Sequence, residues 1–276
     1  MTSYPLGFPA ENPLVTLTHP KDTLWIIELH NGLDNRLTPA LIDRALKPAL
    51  DAVEGHWRTQ WRAVQQQENA KDESGGNGAL IIVGKRSQDK FFSNGLDLTQ
   101  VPPNGNFFPL TYNPLLERLI KFPIPTVCAI NGHCFAGGFM FALACDYRVM
   151  TDGSKRNAWL CMNEVDFGSI WPHSLAAVLN AKVGNAQVRR KIALEGHRFT
   201  PKEALDAGIV DHIVNGDTAA VLAKAEELAL KVGVKAQGGV WGLIKNDIYW
   251  EALEGIKRDP RMTNSLLEDA AAKARL

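Results

Sequence analysis

The 276-residue sequence lacks any excess of charge: thirty Lys and Arg balance thirty Asp and Glu, giving a formal net charge of +0. With no global positive field to gather phosphates, nucleic acid is excluded as an expected partner. Cysteine is scarce. The four cysteines (Cys128, Cys134, Cys145, Cys161) make no CxxC pair, and no His is spaced to finish a zinc site, so buried free thiols are expected and a structural metal is not. Long apolar runs are also few. Ile124 to Cys145 is the one stretch that approaches a membrane span, and Pro125, Asn131, His133 and its glycines mark it instead as a buried strand, turn and helix. The start, Met1-Thr-Ser-Tyr-Pro5, has neither basic residues nor an apolar core of the secretory kind, which predicts an intracellular address.

What is present is ordinary globular material, 45% hydrophobic and 22% charged. Leu24–Leu29, Ala79–Val83 and Thr126–Ile130 read as strands. Thr38-Pro39 reads as a helix start, after which Ile42, Leu46, Leu50, Val53, Trp57, Trp61 and Val64 recur every three or four residues; Pro48 predicts a kink. Leu115, Leu116, Leu119 and Ile120 mark a second helix, ended by Pro123 and Pro125. Strands alternating with helices predict an α/β core over 1–199. From Thr200-Pro201-Lys202-Glu203, a capping box with proline in the first turn, the chain reads as mainly helical through 200–276, with Gly208 closing the first short helix.

Two glycine turns follow predicted strands: Phe91-Phe92-Ser93-Asn94-Gly95-Leu96-Asp97, and Asn131-Gly132-His133-Cys134-Phe135-Ala136-Gly137-Gly138. Glycine lets backbone N–H groups approach a ligand with no Cβ in the way, and the second turn opens an apolar helix whose free N–H groups would face an anion or a polarised carbonyl. Other glycine motifs fail on residue identity. Gly132 and Gly137 have P-loop spacing, but Gly138 stands where the phosphate-binding lysine belongs, and there is no GxGxxG before a helix and no GxSxG. Asp166-Phe167-Gly168 spells a kinase tripeptide without its partner motifs.

Taken with Asn163-Glu164, Gly168 and Thr200-Pro-Lys-Glu-Ala-Leu-Asp-Ala-Gly-Ile-Val-Asp211, the two turns make the chain resemble the crotonase, or enoyl-CoA hydratase/isomerase, superfamily from about Leu24 to Val214. The resemblance implies a spiral of ββα units with a helical C-terminal trimerisation region, assembled as a homotrimer or dimer of trimers. It also implies an acyl-CoA thioester as substrate, with no separate cofactor and no metal. The Leu96 and Gly137 N–H groups would form an oxyanion hole, with Phe92, Ser93, Asn94, Gly95, Asp97 and Gly138 shaping the substrate's place and Arg36 reaching the coenzyme A phosphates.

Hydratases of the superfamily use two glutamates; here the earlier place is Met140, which cannot transfer a proton, and the later keeps Glu164. One base beside an oxyanion hole suits moving a proton along an acyl chain better than adding water across it. The Met162–Gly168 run is similar to Δ3,Δ2-enoyl-CoA isomerases of the mitochondrial and plant peroxisomal kind, which implies that isomerisation in fatty-acid β-oxidation. The runners-up are a hydratase or thioester hydrolase recruiting Asp166, and a non-catalytic acyl-CoA-binding subunit. His133 reads as a core or supporting residue, Trp57 and Trp61 as helix packing. Ala274-Arg275-Leu276 has the small-basic-Leu form of a peroxisomal address, so the peroxisomal matrix and its import receptor are expected, with the cytoplasm as the alternative.

Overall fold

The computed structural model describes residues 3–66, 75–101, 105–258 and 265–275. The strands are β1 (Leu6–Phe8), β2 (Val15–Lys21), β3 (Leu24–Leu29), β4 (Ala79–Val83), β5 (Phe91–Ser93), β6 (Thr126–Ile130), β7 (His133–Phe135), β8 (Tyr147–Thr151), β9 (Leu160–Cys161) and β10 (His212–Val214). The helices are α1 (Pro39–Leu41), α2 (Lys47–Gln65), α3 (Asn113–Ile120), α4 (Gly137–Ala144), α5 (His173–Lys182), α6 (Ala186–Leu194), α7 (Pro201–Asp206), α8 (Thr218–Gly233), α9 (Trp241–Ile248), α10 (Trp250–Lys257) and α11 (Ser265–Arg275).

The larger sheet runs β1-β2-β3-β4-β6-β8-β10, antiparallel at the β1 edge and parallel from β3 onward. Its central strand shows why a continuous apolar run belongs there. Leu80 and Ile82 of β4 face one core with Leu50, Val53 and Trp57 of α2, while Ala79, Ile81 and Val83 face a second core with Val221, Ala225 and Ala229 of α8. A strand buried on both faces has no place for a polar residue. The irregularity expected at Pro48 is a π-helical turn over Ile42–Leu46, which carries α1 into α2 as one helix just before the proline whose N–H is missing.

The boundary expected at 199/200 does not separate layers of the structure. β10 pairs with β8 and α8 covers the larger sheet, so residues through Gly233 belong to the core layers. Thr200 caps α7 through a capping box with Glu203, and Gly208 follows at φ +68°. Past α8, the buried pair Lys245 and Asp146 (2.9 Å) ties α9 to the core, Asp146 also accepting from Thr126 N–H and Trp241 Nε1–H. All four cysteines are free and buried. Among the described residues no helix is long and apolar enough to cross a membrane.

The smaller sheet, β5-β7-β9, is wholly parallel. Parallel strands end on a common edge, and ligands of α/β proteins gather at such carboxyl ends. Here that edge delivers Asn94–Leu96 after β5, Ala136–Gly138 after β7 and Asn163–Glu164 after β9. Three segments distant in sequence therefore meet at one rim.

Candidate active site

Each glycine turn makes room for the other. A Cβ on Gly95, which has φ +84°, would lie 2.7 Å from Ala136 Cβ, and a Cβ on Gly137 would lie 2.6 Å from Leu96 Cδ2. The two turns interlock only because both residues are glycine. Ala136 is held at φ 51°, ψ −129°, a conformation L residues adopt at a cost of order 1–3 kcal/mol. Surrounding bonds enforce it: Ala136 N–H donates to Cys161 O, and Ala136 O accepts from Phe139 and Met140 N–H as α4 begins.

Planarity of the peptide then fixes the donors. In a trans peptide the C=O and the next N–H point opposite ways. Gly95 O is taken by Leu37 N–H (2.8 Å) and Ala136 O points into α4, so Leu96 N–H and Gly137 N–H are turned away from those partners. Neither finds an acceptor among the described residues. The apolar α4 lends the positive end of its dipole to the second of them.

Glu164 opens a 3₁₀ turn, Glu164–Phe167, closed by Gly168 at φ +70°. Its neighbours Val165, Asp166 and Phe167 are exposed, whereas Glu164 itself is 8% exposed and its Oε2 has no hydrogen-bond partner among the described residues. Burial pushes its carboxyl above the ordinary glutamate value, against the smaller opposing pull of its own backbone N–H and of Trp171. A buried carboxyl oxygen without a partner, next to a cavity, is the arrangement a proton-transfer group requires.

That cavity, about 220 Å³, is lined by Glu164, Asn163, Leu96, Ala136, Asn94 and Arg36, with Leu98, Phe108, Phe135, Phe167, Ile170 and Leu175 among its apolar walls. A larger cleft of about 480 Å³ lies between α5 and the α9–α10 corner and includes none of the three strand-end turns. The three strand-end turns meet at the smaller one.

Other residues singled out in the sequence lie elsewhere. Phe92 is fully buried and stacks on Phe141, while the Ser93 hydroxyl donates to Asn35 O, so both serve the core under the first turn. Gly138 is packed on Ser93, and Gly95 is buried between the turns. Asp97 faces Thr99 and Gln100, whose hydrogen bonds, Thr99's foremost, hold its carboxyl below the usual range. Met140 is fully buried on α4. Asp166 is exposed and points at Gly196, outside the cavity. His133 stacks on Trp159, its Nδ1 accepting the Trp159 N–H; burial, helped by Lys90, Arg156 and Arg198, lowers its pKa and favours the neutral ring. Trp57 is buried and Trp61 donates to Gln237 O, both on α2.

The Arg36 guanidinium does line the cavity, but it is engaged by Asp34 Oδ2 (3.0 Å) and Leu96 O (3.3 Å). Sequence reasoning noted Asn163 beside Glu164 without giving it a place in the site, and it missed Phe108, Ile170, Leu175 and Tyr112, whose segments carry no local motif and which only tertiary packing collects. Tyr112 is fully buried and its hydroxyl donates to Gly137 O at 2.5 Å. Among the described residues no group of His, Cys, Asp and Glu is arranged to hold a metal ion.

Comparison with known proteins agrees with this architecture. Residues 65–239 match the enoyl-CoA hydratase/isomerase family. Among curated relatives, enoyl-CoA delta isomerase 3 of Arabidopsis thaliana is 36% identical over 195 residues, 67% of this chain and 78% of that protein. Enoyl-CoA delta isomerase 2, peroxisomal, of the same plant is 32% identical over 194 residues, with 67% and 78% covered. Among solved structures, an enoyl-CoA hydratase from Mycobacterium marinum superposes with a TM-score of 0.67 at 26% identity, covering 88% of this chain and 95% of that one. With more than half its length matched by the family and its three strand-end turns meeting at one cavity, the chain belongs to the enoyl-CoA hydratase/isomerase family.

Proposed function

We propose that the protein is a Δ3,Δ2-enoyl-CoA isomerase. The observation that supports the reading is a buried carboxylate, with one oxygen unpartnered among the described residues, on a cavity also lined by Leu96 and Ala136, where the Leu96 and Gly137 N–H groups find no acceptor among the described residues. The thioester oxygen of a 3-enoyl-CoA accepts from Leu96 and Gly137 N–H. Glu164 takes a proton from C2, and the electron pair delocalises over C2 to C4 and onto that oxygen. The same carboxyl returns the proton to C4, leaving a 2-trans double bond. Atoms and charge balance with one acid, and the amides supply the electrophile, so the thioester is substrate and no separate cofactor enters the reaction. Two fixed donors in a dry site stabilise the dienolate without reorganising as charge develops. Among the described residues Glu164 is the one carboxylate on the cavity wall, whereas addition of water would require a second. The name given to the two Arabidopsis relatives supports the same reading.

The location and assembly follow as part of the proposal. Ala274-Arg275-Leu276, whose last residue lies outside the described ones, together with the peroxisomal relative, supports import into the peroxisomal matrix and a role in β-oxidation. An exposed apolar stripe on and beside α9, formed by Val240, Leu243, Ile244, Ile248 and Trp250, supports burial against further copies, in keeping with a homotrimer or dimer of trimers.

The test is a paired assay of purified protein: isomerisation of a 3-enoyl-CoA against hydration of a 2-enoyl-CoA and hydrolysis of the thioester. Isomerisation should dominate and should collapse in Glu164→Gln with acyl-CoA affinity retained. Predominant hydration or hydrolysis, or binding without turnover, overturns the reading.

A further inference from the structure

Backbone donors have no side chain of their own to steer them, so something else must hold the two turns against the charge that develops between them. We propose that Arg36 and Tyr112 are positioning residues that brace the Leu96 and Gly137 donors through those residues' own carbonyls. The inference rests on the oxyanion-hole reading above and extends it to two side chains that touch no reacting atom.

The two contacts are alike in kind. Leu96 carries the first donor N–H, and its own carbonyl is gripped by Arg36 Nη1 at 3.3 Å. Gly137 carries the second donor, and its carbonyl is gripped by the Tyr112 hydroxyl at 2.5 Å. Holding a residue's C=O fixes its ψ, while the preceding peptide plane is fixed by Leu37 N–H on Gly95 O and by the start of α4 on Ala136 O. Each donor residue is therefore constrained at both ends, as the φ of 51° at Ala136 demands.

The braces are themselves anchored. Arg36 Nε binds Asp34 Oδ2, which also receives Asn94 Nδ2–H at 2.9 Å, so the Asp34–Leu37 segment clasps the 94–96 turn along its length. Tyr112 is fully buried and stacks on Phe107, and burial, reinforced by the Glu164 carboxylate, keeps its phenol protonated and therefore a donor. Arg36 thus has a structural employment that differs from a contact with the coenzyme A phosphates. The two roles make opposite predictions. A phosphate ligand matters only when phosphates are present; a brace matters for any thioester.

The experiment compares Tyr112→Phe, Arg36→Met and Arg36→Lys on two substrates, 3-hexenoyl-CoA and the same acyl group on N-acetylcysteamine, which carries no phosphate. As braces, Tyr112→Phe and Arg36→Met lower kcat roughly 10- to 100-fold on both esters while KM shifts by less than about threefold, the size expected when a donor is misplaced rather than deleted. Arg36→Lys keeps the charge but not the planar fork that reaches Asp34 and Leu96 together, so it stays as slow as Arg36→Met.

A second readout needs no turnover. An enolisable 3-oxoacyl-CoA bound as its enolate gives an ultraviolet band, and the variants should lose about 10-fold or more of enolate affinity with the affinity for saturated butyryl-CoA unchanged. Unchanged kcat and enolate binding in Tyr112→Phe overturn the brace at Gly137. A rise in KM confined to the coenzyme A ester, rescued by Lys, overturns the brace at Leu96. Should Tyr112→Phe fail to fold, the Arg36 pair still decides the Leu96 half. A wild-type protein that does not isomerise 3-hexenoyl-CoA but forms the enolate, and loses it in these variants, sinks the isomerase reading while the braces stand. One that forms no enolate sinks the braces as well.

Discussion

The two walls of the cavity are built on different plans. The donor wall is backbone: Leu96 and Gly137 sit on interlocked turns, with their neighbouring carbonyls engaged and the strain at Ala136 held from several sides. The acid wall is one side chain on a short 3₁₀ turn whose other residues, Val165, Asp166 and Phe167, face outward. The donor wall is over-determined and presents main-chain N–H groups rather than reacting side chains, so it can serve any reaction that puts charge on a thioester oxygen. In the proposed mechanism the acid wall holds a group whose replacement would change the chemistry without disturbing the scaffold. Under the proposed function, the first wall stabilises the charge and the second moves the proton.

The sharpest way to break this contrast is Glu164→Gln, which leaves the donor wall intact. Turnover should fall by roughly 10²- to 10⁴-fold, the usual worth of a general acid–base group, while a saturated acyl-CoA binds as before by calorimetry. Next in size is Gly95→Ala, which attacks the other wall. The added Cβ would meet Ala136 Cβ at 2.7 Å, at a φ of +84° that L residues resist. Stability should drop by about 1–2 kcal/mol or more in urea melts, and turnover by roughly 10²-fold. If Gly95→Ala were silent, the interlocking of the turns would not matter to the reaction.

How far these walls were legible in the sequence follows the same division. β3, β4 and β6 were readable to the residue because central parallel strands are continuous apolar runs between turn signals. β9, two residues long, has no pattern of its own and exists through its pairing with β7, yet it is what delivers Glu164. The glycine turns were visible because close approach demands glycine. Phe92 and Ser93 belong to the same motif but face the core, since alternate residues of a strand point opposite ways and a motif does not say which face is wet. The apolar lining from Phe108, Ile170 and Leu175, and the contacts of Arg36 and Tyr112, come from segments brought together only by the fold.

A smaller effect sharpens the acid wall. Burial raises the Glu164 carboxyl in the folded state, so between its unfolded and folded values the folded protein binds more protons than the unfolded chain, and stability falls as pH rises through that interval. Glu164→Gln removes the cost of burying the charge. The variant should melt above the wild type at neutral pH, and that gain should shrink on acidification until the wild-type carboxyl is protonated in both states. In the proposed mechanism the same raised value places the acid limb of wild-type kcat/KM above the ordinary glutamate range, because Glu164 would have to be ionised in the free enzyme to accept the C2 proton. A limb at the ordinary value would mean that the buried oxygen is better solvated than the cavity implies.

The smallest expected effect is the one that separates Glu164 from its neighbour. Asp166 lies two residues along a 3₁₀ turn, where three residues complete a circuit, so its side chain departs from the Glu164 direction by about 240° and ends against Gly196. An exposed carboxylate there has no path to the cavity. Asp166→Asn should therefore leave turnover within about twofold and the unfolding free energy within about 0.5 kcal/mol. A loss approaching that of Glu164→Gln would show that the acid wall holds two carboxylates in solution, and would restore the hydratase-like reading in which both act on a water.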